Sequence, residues 1–360
     1  MSRWRGSLIY YIFSKETSND NVIVEKFMKD YHSMLPTKFS YLEVKRLTNG
    51  FRNKLGQGGY GSVYKGKLAN GHPIAAKILE KSKDNGQDFI NEVATIGRIH
   101  HFSIIRLLGF CCEGSRRALI YEYMPNGSLG DLIFDEEARR SLSREKLLEI
   151  AIGIAEGIQY MHSGCDTRIL HLDIKPQNIL LDHDYHPKIS DFGLAKLYSR
   201  KNSVVSLTCA RGTIGYIAPE VFMRSVGCVT HKSDVYSYGM LLLDMIVGRK
   251  NTKFVDERSS MSYFPDWIYT QLDQWNETML VDEGLCIARK MVLVGLWCIQ
   301  INPSNRPPIN RVLEMLKGDH DGIENPPKPF FPSSTVEPFE LQSFSVDTIK
   351  DTTSLTSKSM

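Results

Sequence analysis

Residues 171–193 run His171-Leu172-Asp173-Ile174-Lys175-Pro176-Gln177-Asn178-Ile179-Leu180-Leu181, then Asp182 to Pro187, then Lys188-Ile189-Ser190-Asp191-Phe192-Gly193. Ile179-Leu180-Leu181 and Lys188-Ile189-Ser190 are short hydrophobic runs parted by a turn-forming stretch, and they predict a hairpin. Asp173 and Asn178 stand before it and Asp191 directly after it. Isolated Asp and Asn residues in loops are usually turn formers. Here the hairpin gathers all three at the ends of short strands, where hard oxygen donors suit a cation such as Mg2+.

Upstream lies Gly56-Gln57-Gly58-Gly59-Tyr60-Gly61-Ser62-Val63. Gly56, Gly58 and Gly61 let backbone amides approach phosphate oxygens, because no Cβ stands in the way. A lone loop of this kind equally suggests a dinucleotide fold, or a plain flexible turn. A dinucleotide fingerprint, however, opens a helix. Here the strand pattern Ser62 to Leu68 follows, then Asn70-Gly71, a strong hairpin signal, then a return strand from Pro73 to Leu79. The loop is therefore read as the turn before one strand of an antiparallel sheet, with Lys77 on the strand two along. Phe89, Val93, Ile96 and Ile99 recur at helical spacing, and Glu92 sits beside that face. A pair between Lys77 and Glu92 would give the lysine a reason to be buried and would hold its charge towards phosphates. The bland reading is two solvated surface charges.

Taken in order, the glycine loop, Lys77, Glu92, the 171–178 stretch, Asp191-Phe192-Gly193 and Ala218-Pro219-Glu220 resemble the signature set of protein kinases. The resemblance covers about residues 50 to 317. Phe39-Ser40-Tyr41, the run Tyr121 to Leu129 and Gly295-Leu296-Trp297-Cys298 are similar to plant receptor-like kinases. Ala210 to Glu220 and Pro326-Pro327-Lys328-Pro329-Phe330 narrow the likeness to the leaf-rust-resistance kinase-like group.

The resemblance implies an α+β, two-lobed fold. A small antiparallel sheet lobe (50–124) would carry one regulatory helix, and a larger, mainly helical lobe (125–317) would follow. It implies ATP and Mg2+ as cofactors, with Mn2+ as an alternative ion. It also implies transfer of the γ-phosphoryl to Ser or Thr hydroxyls of protein substrates. Asp173 would be the base or orienter, Lys175 would neutralise the moving phosphoryl, and Asn178 and Asp191 would hold the metal. Val63, Ala75 and Leu180 would sandwich the adenine, Glu122 and Met124 would meet its edge, and Tyr121 would be the gatekeeper. Glu220 would pair with Arg306, and Asp234 would brace the 171–178 loop. Lys175 with Thr213 resembles the serine/threonine type.

The chain departs from the family at Leu172, where an arginine normally pairs with a phosphorylated activation loop. Phosphate at Ser203, Ser206 or Thr208 thus loses an expected partner, and phosphorylation there is not expected to be the main switch. Two other readings stand beside the active kinase. One is a silent scaffold that binds ATP and signalling partners. The other is a small-molecule phosphotransferase, which the long segment from Asp191 to Glu220 disfavours.

Composition adds bounds. The chain has 360 residues, 42% hydrophobic and 24% charged, with a net charge of +3. That charge gives no argument for a nucleic-acid partner. The seven cysteines show no metal-ligand spacing and read as reduced thiols. On that reading the sequons at Asn126 and Asn276 are chance matches. The longest apolar run near the start, Leu8 to Phe13, is far short of the about 20 residues a membrane span needs. It is either the stub of a membrane segment or an irregular start. The resemblance implies a cytoplasmic location, or association with a membrane as the inner part of a receptor, with a receptor or co-receptor as partner. Residues 1–49 read as a juxtamembrane-like segment and 318–360 as a disordered Pro/Ser/Thr-rich tail. That tail is either an autophosphorylation target or a solvated end.

Overall fold

Ser40 starts the first helix. Its hydroxyl accepts from the Glu43 N–H while the Glu43 carboxylate accepts from the Ser40 N–H, which closes a capping box. This helix, α1 (Tyr41–Leu47), gives way to Asn49 and Gly50, whose φ values of 50° and 71° turn the chain left-handed. In the computed structural model the described residues are 36–58, 61–79, 87–97, 99–165, 167–198, 205, 211–223, 225–248, 268–269, 283–319 and 322–328. The chain divides into two units, Met1–Pro327 and Lys328–Met360, and all elements described below lie in the first. The apolar run at Leu8–Phe13 and the chain from 329 onward lie outside the described residues.

Six strands form the small lobe: β1 (Thr37–Lys38), β2 (Lys54–Gly58), β3 (Gly61–Lys67), β4 (Pro73–Leu79), β5 (Leu107–Glu113) and β6 (Arg116–Glu122). Their order is β1-β5-β6-β4-β3-β2. β1 runs parallel to β5, and every other neighbour is antiparallel. The hairpin at Asn70-Gly71 and the return strand stand where the sequence puts them. The glycine loop differs from expectation. It is more than the turn before a strand: Gly56 and Gly58 belong to a strand of their own, Lys54–Gly58, which pairs antiparallel with β3 up to Gly58 and Gly61. The bounds of β5 and β6 also differ by one to three residues from the apolar runs Ile105–Phe110 and Ala118–Tyr123, which the sequence reads as strands.

Register sorts the side chains. Ile74, Ala76, Cys111, Ala118 and Ile120 face outward into a cluster closed by Val44 of α1. Residues 37–47, read from sequence as part of the segment before the lobe, thus contribute a strand and a helix to it. Directly paired residues in an antiparallel sheet share a face, and Val63 pairs with Lys77, Leu119 with Lys77, and Tyr121 with Ala75. That inner face meets α2 (Gln87–Ile96), which buries Phe89, Val93 and Ile96. The expected helix extends to Ile99, but α2 stops at Ile96, with Gly97 in a turn whose N–H still reaches the Val93 carbonyl at 3.2 Å; Ile99 is buried beyond it.

The larger lobe holds α3 (Leu129–Phe134), α4 (Glu136–Arg140), α5 (Arg144–Gln159), α6 (Pro219–Phe222), α7 (His231–Val247), α8 (Glu283–Cys298) and α9 (Ile309–Lys317). α7 is buried on nearly all sides, as its apolar sequence predicts. Two antiparallel strand pairs lie between α5 and α6 in sequence: β7 (Arg168–Leu170) with β10 (Lys196–Tyr198), and β8 (Ile179–Leu181) with β9 (Pro187–Ile189). The fold is therefore α+β and two-lobed. Part of the expected tail is ordered. Backbone carbonyls of Glu324 and Pro327 accept from Trp297 Nε1 at 2.9 Å and from the Tyr269 hydroxyl at 3.1 Å. Among the described residues no helix is long and apolar enough to cross a membrane, and the six described cysteines are thiols rather than disulfides.

Candidate active site

Lys77 projects from the inner face of β4. Its ammonium lies 3.2 Å from Glu92 Oε2 and 2.8 Å from Asp191 Oδ1. The first pair is expected from sequence; the second joins two residues read as having separate roles. Burial works against the charge on Lys77, but the carboxylates of Asp191 and Glu92 outweigh it and raise its pKa. The two acids respond differently. Burial would raise Asp191, yet Lys77 draws it below the usual range. In Glu92 burial prevails over Lys77 and pushes the carboxyl up. Geometry explains the split: the Glu92 side chain is only 2% exposed and farther from the ammonium, whereas Asp191 is closer and 22% exposed.

Glu92 has a second partner that sequence does not announce. The Tyr121 hydroxyl donates to Glu92 Oε1. Next to Glu92, Asn91 donates from Nδ2 to the Gly193 carbonyl at 2.9 Å, tying α2 to the Asp191-Phe192-Gly193 turn. The signal for Asn91 is a polar residue inside an apolar helical pattern. Asp191 itself sits at φ 64°, a left-handed conformation uncommon for any residue but glycine. Such strain collects at functional sites.

The 171–178 loop is fixed from beneath by Asp234, fully buried at the start of α7. Its carboxylate accepts the N–H groups of His171 at 3.0 Å and Leu172 at 2.8 Å, and a third bond joins it to His162 Nε2 at 2.9 Å. The bonds of His171 define its tautomer. Nε2 lies 3.0 Å from the Ser190 carbonyl and must donate, so Nδ1 is left to accept from the Asp173 N–H at 3.2 Å. Asp173 Oδ2 accepts from Lys175 Nζ at 2.7 Å and Asn178 Nδ2 at 2.9 Å. Thr213 Oγ1 accepts from Lys175 at 2.7 Å and donates to Asp173 Oδ1 at 2.7 Å. Asp173, Lys175, Asn178 and Thr213 thus form one network.

The glycine loop belongs to β2 and β3 of the small-lobe sheet. At Gly61, with φ 130°, a Cβ would strike the Ile78 carbonyl oxygen, so the fold itself demands glycine. At Gly56 and Gly58 a Cβ would meet nothing within 4 Å. Space there is open to a ligand, which is what a phosphate cradle requires. Gly59 and Tyr60 lie outside the described residues. Val63 and Ala75 are half-buried on the inner face, and Leu180 of β8, bridged to Ser128, is half-buried below. Glu122 ends β6 and Met124 follows in the irregular segment leading to the large lobe.

Leu172 is buried and left-handed, with φ 63°. It packs with Leu170, Tyr198 and Val229, joined by Val205 and Val221. Val205 is anchored by its N–H to the Val229 carbonyl at 3.0 Å. Where the resemblance expects a cation, this fold places an apolar cluster. Ser203, Ser206 and Thr208 lie outside the described residues. The expected Glu220–Arg306 pair is present and fully buried, with two bonds of 2.7 and 2.8 Å.

Residues 50–316 match the model of the protein kinase domain. The chain belongs to the protein kinase family. The kinase is 53% identical over 317 residues to rust resistance kinase Lr10 of Triticum aestivum, covering 86% of this chain and 50% of that one. It is 52% identical over 316 residues to leaf rust 10 disease-resistance locus receptor-like protein kinase-like 2.1 of Arabidopsis thaliana, covering 86% of this chain and 49% of the relative. A PR5-like receptor kinase of Arabidopsis thaliana is 51% identical over 310 residues, covering 83% of this chain and 46% of its own. The chain thus spans about half the length of these curated relatives. By family the kinase is a phosphotransferase that uses ATP and a divalent cation. The donor set fits that use. Among the described residues no three His, Cys, Asp or Glu side chains converge as a metal cage. Asn178 and Asp191 carry hard oxygen donors of the kind that suit a divalent cation.

Proposed function

We propose that the kinase is an active serine/threonine protein kinase, using ATP with Mg2+ or Mn2+, that acts in receptor-like, defence-type signalling. The observation that carries this is the Asp173–Lys175–Thr213 network, beside an ammonium at Lys77 held by two acids. A threonine that bonds both Lys175 and Asp173 supports the serine/threonine assignment over a tyrosine one.

The chain's residues divide the work of phosphoryl transfer, which is mainly positioning and charge neutralisation. Backbone amides of the loop at Gly56, Gly58 and Gly61 hold phosphates, and Val63, Ala75 and Leu180 clamp the base whose edge meets Glu122 and Met124. Glu92 keeps Lys77 aimed at the α- and β-phosphates. Asp173 orients the substrate hydroxyl and accepts its proton at a carboxylate oxygen. Lys175 neutralises charge on the moving phosphoryl. Asn178 and Asp191 would hold Mg2+, which supplies neutralisation of the phosphate oxygens when bound.

The signalling role draws on the relatives, whose names mark them as receptor-like and rust-resistance kinases. Protein substrates with Ser or Thr, and a membrane receptor or co-receptor as partner, follow from the same likeness. Incubation of the purified chain with labelled ATP and Mg2+, beside Asp191→Asn, tests the reading. Label on the chain or on a generic serine/threonine substrate, lost in the variant, is the expected result. No label, with ATP still raising the melting temperature, would favour a scaffold instead.

A further inference from the structure

The signature residues begin at Gly56, yet the sheet begins at Thr37. Residues 36–47 wrap two sides of the small lobe. On the outer face α1 buries Val44 among Ile74, Ala76 and Ile120. The Tyr41 N–H donates to Glu113 Oε2 at 3.1 Å, and Arg116 lies over the Tyr41 ring at 4.4 Å, which fixes α1 to the β5–β6 hairpin. At the sheet edge β1 pairs with Gly109 and Phe110 of β5, and the Phe39 N–H donates to the Phe110 carbonyl at 2.8 Å.

The segment then reaches α2. Pro36 lies against Gly97, where a Cβ would come within 3.1 Å of the proline Cδ. Phe110 meets Phe89 of α2 edge to face, with ring centres 6.3 Å apart. At Gly109 a Cβ would strike the Phe39 ring and come within 2.5 Å of the Thr37 carbonyl oxygen. Glycine at 109 is therefore matched to this segment, whereas a Cβ at Gly97 would first meet the Val93 carbonyl oxygen, at 2.6 Å, and then Pro36.

We propose that residues 36–47 are a strap that positions α2, and with it Glu92, for the pair with Lys77. A helix as short as α2 has little stability of its own and takes its place from tertiary contacts. Its contacts with Lys77 and Gly193 lie on the active-site side. The strap supplies the hold at its far end. Pro36, Phe39 and Gly109 are positioning residues, and whatever displaces Pro36 and Phe39 would loosen the Lys77–Glu92 pair.

The test uses the full chain carrying Gly109→Val, whose side chain cannot coexist with the bound strap. A second variant, Phe39→Pro, removes the N–H and the ring while leaving the sheet sequence intact, and carries the test if the first does not fold. Amide hydrogen exchange is followed at 37–47 and at 87–97, and turnover is measured at saturating ATP. Exchange should rise at both segments, and kcat should fall by about tenfold, an ordinary coupling between sites, with KM for the protein substrate unchanged. Released protection at 37–47 with parental exchange at 87–97 overturns the proposal, as does protection at 37–47 that survives in both variants. The kcat arm rests on the proposed kinase activity. The exchange arm does not, so a silent enzyme and an idle strap are distinguishable.

Discussion

The Tyr121 hydroxyl bonds Oε1 of Glu92, while Oε2 of the same carboxylate faces the Lys77 ammonium at 3.2 Å. A buried acid is thus held from both sides, by a neutral donor and by a cation. Burial and then Glu92 raise the Tyr121 hydroxyl well above its ordinary pKa, so it stays protonated and donates.

Tyr121→Phe keeps the ring and deletes the donor. Glu92 Oε1 then loses a bond it cannot replace with water. Leaving a buried polar group unsatisfied costs about 1–3 kcal/mol. Urea denaturation of the variant should show that loss at an unchanged m value. An unaltered midpoint would mean that the hydroxyl contributes nothing net.

Asp173→Ala tests the proton acceptor. Positioned general-base help contributes roughly 10²–10⁴-fold, and kcat should fall by about that factor. The carboxylate also holds Lys175, Asn178 and Thr213, so ATP binding is to be measured beside the rate. A rate equal to the parent removes Asp173 from the mechanism.

How far the sequence carries depends on what each feature needs. The return strand Pro73–Leu79 is legible to the residue, because Asn70-Gly71 fixes the turn and the alternation fixes the strand. The strand Lys54–Gly58 is not. Its sequence, Lys-Leu-Gly-Gln-Gly, is fully exposed and nearly devoid of apolar residues, and its state comes from backbone pairing with β3. α2 overruns in the reading because Ile99 continues the spacing after the backbone has turned at Gly97. In the site, Lys77, Asp173, Asn178 and Asp191 are legible because phosphate and metal chemistry asks for those residue types. The bonds from Tyr121 to Glu92 and from Asn91 to Gly193 are set by packing between distant elements, which spacing alone does not encode.

Leu172 separates two ways of ordering an activation segment. Its side chain packs with Tyr198, Val229 and Val205, and offers nothing to a phosphate. Alanine at Ser203, Ser206 and Thr208 together should leave turnover within about twofold, since a phosphate there would lack the charge partner that residue 172 normally supplies. Leu172→Ala should instead cost about 2–5 kcal/mol of stability, as for other buried leucines. Loss of activity in the triple variant with the fold intact would sink this account.

His231 gives the kinase a sensitivity to mild acid. It opens α7 edge to face with His162, ring centres 5.7 Å apart. Burial, then His162, Lys232 and Arg168, pull its pKa down to about 4, while Asp234 pulls the other way. Above the ordinary value of 6.5 the ring is neutral both folded and unfolded, and stability does not depend on it. Between 6.5 and about 4 the unfolded chain takes up a proton that the fold refuses, so stability falls as pH falls. With allowance for partial solvent contact, the loss by pH 5 should be about 1 kcal/mol. Denaturation midpoints at pH 7 and pH 5 measure it, and His231→Gln should flatten the difference. A variant with the parental pH slope would move the sensitivity to another group, because glutamine at 231 has no proton to gain.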